Sequence, residues 1–152
     1  MSEEGKRPRI QVRAAGLFRR DDKILFVIHQ KNNRKVHLLP GGNVQYGESM
    51  HLALRREFFE ELSVQIEIGN FIQAGESISP QGQKHLLQFI FQVQLDPASL
   101  KLGIDPAVIG FTFLDKKEIQ ENLIFPDAKS CLLSCLDREK NELFFQEYLW
   151  QS

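Results

Sequence analysis

The chain has 152 residues, 42% apolar and 26% charged, with a formal net charge of −1. That length suits a single domain with its own core, residues 1–152, and the nearly balanced charge supplies no global basic field for nucleic acid. No stretch approaches the ~18 uninterrupted apolar residues of a membrane helix, and the opening MSEEGKRPRI lacks the apolar core of a secretory leader, so no membrane partner and a cytoplasmic location are expected.

Taken in chain order, IQVRAAGLFRR and KILFVIHQ are rich in β-branched and large apolar residues, and RDD between them predicts a hairpin. QKNNRK reads as a polar, basic loop, and VHLLP as a short strand stopped by Pro40 and the pair Gly41-Gly42. A helix is predicted from Ser49, its N-cap, to Leu62. VQIEIGNFIQAGES alternates in its first part as a half-buried strand does, SISPQGQK is a loop, and HLLQFIFQVQL carries the strongest strand signal in the chain. DPASLKLGIDP connects it to another strand, AVIGFTFLD, and to a short helix, KKEIQEN. PDAKSCLLSCLDREK predicts a second full helix and ELFFQEYLW a last strand. Cys131 and Cys135, four apart in that helix, are read as reduced, buried thiols, since two cysteines make a thin disulfide framework and no nearby histidine completes a zinc site. These elements define one α/β domain with more strand than helix and no repeat.

The helix from Ser49 to Leu62 gathers like charges. With Glu57 at zero on a helix turning about 100° per residue, Glu61 falls roughly 40° to one side and Glu60 roughly 60° to the other. Leu54, Phe58 and Leu62 form an apolar stripe beside them, which Leu52 and Phe59 are expected to widen. A solvated acidic face is the commonest fate of such glutamates, yet like charges at i, i+4 cost about 0.2–0.5 kcal/mol per pair. A hard divalent cation removes that repulsion, because it takes oxygen ligands and works with one or two carboxylates plus phosphate oxygens.

Gly42, Glu48, Arg56, Glu57, Glu60 and Glu61 fit the form G-x5-E-x7-R-E-U-x-E-E-x-G-U, with Phe58 and Val64 at the bulky apolar positions U. This resembles the Nudix box, the signature of the Nudix hydrolases. Ser63 stands where the box has its late glycine, and Phe58 is larger than the usual aliphatic residue. VHLLPGG is similar to the strand and loop leading into the box, and AVIGFTFLDKKEIQENLIFP to the segment after the central strands. The resemblance implies a Nudix-type α/β/α sandwich with a mixed β-sheet. It also implies Mg²⁺-dependent hydrolysis, with Mn²⁺ as a substitute, of a diphosphate linkage in a nucleoside diphosphate derivative: ADP-ribose, a similar nucleotide sugar, or a nucleoside triphosphate.

By that resemblance Glu57 and Glu61 lead as metal ligands, Glu60 assists directly or through water, and the backbone oxygen of Gly42 or of its neighbour Gly41 adds a ligand. Glu57 is the first choice for general base, although members of the family place their base differently. Arg56 leaves the carboxylate face by about 100° and is assigned to Glu48, pinning the loop to the helix. Arg34 and Lys35, with Lys31, form a basic loop that could meet phosphates, against the alternative of a solvated hairpin. Glu76 and His85 are weaker candidates for substrate contact, each set against a half-exposed strand or loop residue. Phe111 and Phe113 read as core, and His51 and Arg55 as helix surface. A nucleotide-binding Nudix fold without turnover is the second hypothesis; it would be expected to lose a box glutamate, and none of Glu57, Glu60 or Glu61 is lost. An RNA 5′-end pyrophosphohydrolase is the third, and would be expected to show a more basic surface. The partner is thus a small-molecule nucleotide, with a homodimer left open.

Overall fold

The computed structural model describes residues 7–137 and 145–151. Its elements are β1 (Gln11–Leu17), β2 (Arg19–Arg20), β3 (Lys23–Lys31), β4 (Arg34–Leu38), β5 (Gly41–Asn43), α1 (Met50–Leu62), β6 (Glu67–Ile78), β7 (His85–Gln94), β8 (Val108–Leu114), α2 (Lys116–Glu121), α3 (Lys129–Leu136) and β9 (Phe145–Glu147). One sheet has the order β5-β1-β7-β6-β9; in the other, β3 pairs with β2, β4 and β8. β1 runs parallel to β7 and antiparallel to β5, so the first sheet is mixed.

Strand alternation divides the core in two. Leu25 and Val27 of β3 join Leu54, Phe58 and Leu62 of α1, whereas Ile24 and Phe26 join Ile119 of α2 and Cys131 and Leu132 of α3. Successive side chains leave a strand on opposite faces, so one strand serves both cores. Helices therefore cover both faces of the β layer, as an α/β/α sandwich requires. Gly16 lets α1 pack closely on β1: a Cβ there would lie 2.5 Å from the ring of Phe58.

Several local expectations change. The first hairpin is confined to Arg19↔Ile24 and Arg20↔Lys23, and β1 departs into the other sheet. Ala14, Ala15 and Leu17 are buried, and a strand buried on both faces takes neighbours on both edges, here β5 and β7. The basic loop is a second hairpin, since Gln30 and Lys31 pair with Lys35 and Arg34. Its two turn residues, Asn32 and Asn33, have φ of 51° and 62°, the left-handed values a two-residue hairpin turn demands. Leu52 and Phe59 do not widen the apolar stripe; they are 59% and 58% exposed. Phe59 turns about 100° from Phe58 and Leu52 about 160° from Leu54, beyond the packed face. The late helix begins at Lys129, three residues after Pro126. Its expected charged end beyond Asp137, and the start of the last strand before Phe145, lie outside the described residues. Cys131 and Cys135 are free thiols, the first buried and the second half-buried.

Candidate active site

α1 begins and ends with local chemistry. Ser49 caps its N-terminus, its Oγ accepting from the Leu52 amide at 3.1 Å. Ser63 ends it in the left-handed region, φ 52° and ψ 34°, with its amide bonded to the Phe59 carbonyl. The carbonyls of a last helical turn lack intrahelical donors. Here the amides of Asp105, Gly103 and Lys101 supply them, donating to Glu60, Glu61 and Leu62 at 3.0, 3.0 and 3.2 Å. Gly103 is required by that contact, because a Cβ would sit 2.2 Å from the Glu60 oxygen. The end of the helix that carries the carboxylates is thus tied to a distant loop.

The glycine pair forms the opposite wall. The amide of Gly41 donates to Glu61 Oε1 at 2.8 Å, and Glu61 is 2% exposed. A Cβ on Gly42 would lie 2.3 Å from the Glu57 carboxyl carbon, so any larger residue would displace that carboxylate. A Cβ on Gly41 would meet the Ala14 carbonyl oxygen at 2.1 Å. Burial pushes the Glu57 carboxyl up from its ordinary value; Arg56 opposes this, and the charges of Glu61 and Glu60 add to it.

Arg56 does pair with Glu48, through Nε at 2.8 Å and Nη2 at 3.0 Å. That bond holds the Glu48 carboxyl down at about 2. Glu48 also accepts from the Gln45 amide, and Arg56 Nη2 donates to the Asn43 carbonyl, so the pair joins loop to helix. The helical wheel placed Arg56 off the carboxylate face, but its long side chain returns to it. Nη1 donates to Glu57 at 2.8 Å and reaches Glu60 at 3.4 Å.

Two further residues belong to the site and were not singled out from the sequence. Arg13 is buried at 8% exposure, donates from Nε to Gln88 at 3.0 Å and from Nη2 to the Leu39 carbonyl, and faces the charges of Glu61 and Glu57. His29 places Nε2 3.9 Å from Glu61 Oε2, too long for a hydrogen bond, and that nitrogen is buried without a hydrogen-bond partner among the described residues. No alternation marked either position, because β1 and β3 carry buried residues on both faces.

His29 also opens onto a cleft of about 330 Å³ lined by Lys31, Arg34, Val36, Leu38, Leu123, Phe125 and Gln151. The Lys31 ammonium lies 5.7 Å from the centre of the Phe125 ring. Arg34 thus borders the cleft, while Lys35 is exposed on β4. Glu76 and His85 lie on adjacent strands and bond to each other, His85 Nε2 to Glu76 Oε2 at 2.7 Å.

Among the described residues, no three His, Cys, Asp or Glu side chains already stand as a metal-ligand cluster. A cation is nevertheless held between two of the carboxylates: the Arg56 guanidinium touches Glu57 and Glu60. The donors gathered here are oxygens, the chemistry a hard divalent ion takes.

A mixed sheet between helices, with an acidic helix end packed on a glycine pair, defines the class to which this chain is assigned. The NUDIX domain matches residues 7–133, and the chain belongs to the Nudix family. An ADP-ribose pyrophosphatase of Methanocaldococcus jannaschii is 30% identical over 92 residues, 59% of this chain and 54% of that protein. The chain therefore aligns with about half the length of that curated relative. The fold is shared with the E. coli ORF135 protein (TM-score 0.72, 19% identity, 88% of this chain and 94% of that one). It is also shared with a Nudix hydrolase of Nitrosomonas europaea (TM-score 0.72, 21% identity, 86% and 91%). No described helix is long and apolar enough to cross a membrane.

Proposed function

We propose that the chain is a single-domain, Mg²⁺-dependent pyrophosphohydrolase that cleaves the diphosphate linkage of a nucleoside diphosphate derivative, ADP-ribose foremost. The observation that carries the reading is the convergence of Glu57 and Glu61 on the Gly41-Gly42 wall, with Glu60 joined to Glu57 through Arg56 and Glu61 beside a cleft of nucleotide size. The name of the archaeal relative supports ADP-ribose.

Glu57 and Glu61 would hold the ion, with Glu60 and the Gly42 carbonyl in support; Mn²⁺ offers the same preference for oxygen. Bound there, Mg²⁺ would neutralise diphosphate oxygens and acidify the attacking water. Glu57, set against the Gly42 backbone, is the first choice to take the water's proton. Glu61 is oriented by the Gly41 amide and kept from solvent. Arg56 and Glu48 hold the loop before α1 against the helix. Products would be a nucleoside monophosphate and the phosphorylated second group.

The test is a panel of nucleotide sugars, nucleoside triphosphates and capped RNA with Mg²⁺, resolving phosphate, pyrophosphate and nucleoside monophosphate. Turnover should vanish in chelator and return with Mg²⁺ or Mn²⁺. Glu57→Gln and Glu61→Gln should each lower it by about 100-fold or more. Undiminished turnover in chelator would remove the metal from the reading. Binding without turnover is disfavoured by retention of all three glutamates, and RNA 5′ ends by the net charge of −1.

A further inference from the structure

The NUDIX match ends at residue 133, yet the chain continues into β9 and the residues after it. This segment is built into the molecule. β9 extends the five-stranded sheet parallel to β6, and the Tyr148 amide donates to the Glu76 carbonyl at 2.6 Å. Tyr148 is buried, and its hydroxyl donates to Gln73 Oε1 at 3.1 Å. Its ring crosses Gly75 so closely that a Cβ there would lie 1.8 Å from it. With Tyr148 anchored, Gln151 is carried three residues further, to the wall of the cleft beside His29.

Gln151 Oε1 is buried and has no hydrogen-bond partner among the described residues, as is true of His29 Nε2 in the same cleft. Buried acceptors are costly unless a donor meets them. The cleft it lines has polar members, Lys31 and Arg34 among them, and an apolar, partly flat part made by Val36, Leu38, Leu123 and the Phe125 ring. Such walls bury the faces of a heterocycle, and an acceptor on the lining residue Gln151 selects an N–H on its edge. His29, 3.9 Å from Glu61, marks the end of the cleft nearest the carboxylates, where a nucleotide's phosphates would leave it.

We propose that Gln151, delivered by the segment Phe145–Gln151, is a specificity-determining residue that accepts a hydrogen bond from the exocyclic amino group of a nucleobase. The inference rests on the nucleotide reading of the site and deepens it: the substrate class is an amino-bearing base, as in adenine nucleotides. An unmet buried acceptor discriminates strongly, because a base lacking the donor leaves it unpaired.

The experiment measures equilibrium binding of adenosine 5′-monophosphate and purine riboside 5′-monophosphate, which lacks the amino group, to the full chain in chelator. The parent should bind the amino compound about tenfold more tightly. Gln151→Leu should equalise the two by weakening only the adenine compound, and Gln151→Glu, which keeps an acceptor, should retain a preference. Gln151→Asn, shorter and still polar, should repeat the loss if Gln151→Leu alters the unfolding midpoint. An unchanged ratio in Gln151→Leu and Gln151→Asn, no preference in the parent, or no binding of either compound overturns the proposal. Preference without turnover of any diphosphate in Mg²⁺ overturns the hydrolase reading and leaves this one standing. Turnover with an unchanged binding ratio does the reverse.

Discussion

Two arginines organise the two polar regions of this molecule, and they do so differently. Arg56, a quarter exposed, gathers the carboxylates Glu48, Glu57 and Glu60. Arg13, buried, takes neutral acceptors, Gln88 and the Leu39 carbonyl, and meets Glu61 and Glu57 only through space. Behind Arg13 the buried polar groups are neutral too: Gln88, Gln73 and Tyr148. Near solvent, water shares the cost of collecting charge. In the interior each polar group must find its bond within the protein. The contrast teaches that charge is collected where solvent reaches it, while the neutral network holds the strands beneath.

The largest effect is expected from Arg13→Met, which leaves Gln88 and the Leu39 carbonyl without their donor. A loss of about 3 kcal/mol in urea unfolding should result, with little dependence on salt. Arg56→Ala should cost about 1 kcal/mol or less, diminish further in salt, and lower turnover by loosening the loop at Asn43. Equal losses in the two variants would abolish the distinction between the networks.

Tyr148→Phe tests the neutral network at its far end and should cost about 1 kcal/mol. It also carries a pH signature. Burial pushes the Tyr148 hydroxyl up from 10 to about 12. A raised value means the folded state holds the proton more tightly, so this stabilisation is complete below pH 10 and is lost as pH rises through about 12. Unfolding free energies of parent and variant should therefore converge across that window; parallel curves would remove Tyr148 as the source.

The smallest effect belongs to Ser63→Gly, at the end of the charged helix. Ser63 holds the left-handed conformation that glycine adopts without a side-chain clash. Relief of that strain, offset by glycine's greater unfolded freedom, should stabilise the chain by about 0.5 kcal/mol with turnover unchanged. The comparison needs Mg²⁺ held constant, since bound metal shifts apparent stability. A destabilised variant would show that the turn tolerates serine without strain.

What the sequence determined by itself is mostly local. The bounds of α1, the Ser49 cap and the cluster of Glu57, Glu60 and Glu61 follow from a repeat of 3.6 residues and a few capping rules, whereas the left-handed end at Ser63 is a finding of the structure. The Glu48–Arg56 bond was legible because residue types and spacing left each a partner close along the chain. Tertiary structure decided the rest. Arg13 serves the site only because β1 pairs with β5, setting Ala15 against Gly41 and Arg13 against Asn43. His29 meets Glu61, and Gln151 meets the cleft, across separations that no local pattern encodes. The same limit explains the first hairpin, since β1 joins β5 and β7 and leaves only Arg19 and Arg20 to pair with β3. Helical periodicity is written within a single turn of chain, whereas strand partners are chosen by burial on both faces of a sheet, which only the assembled fold provides.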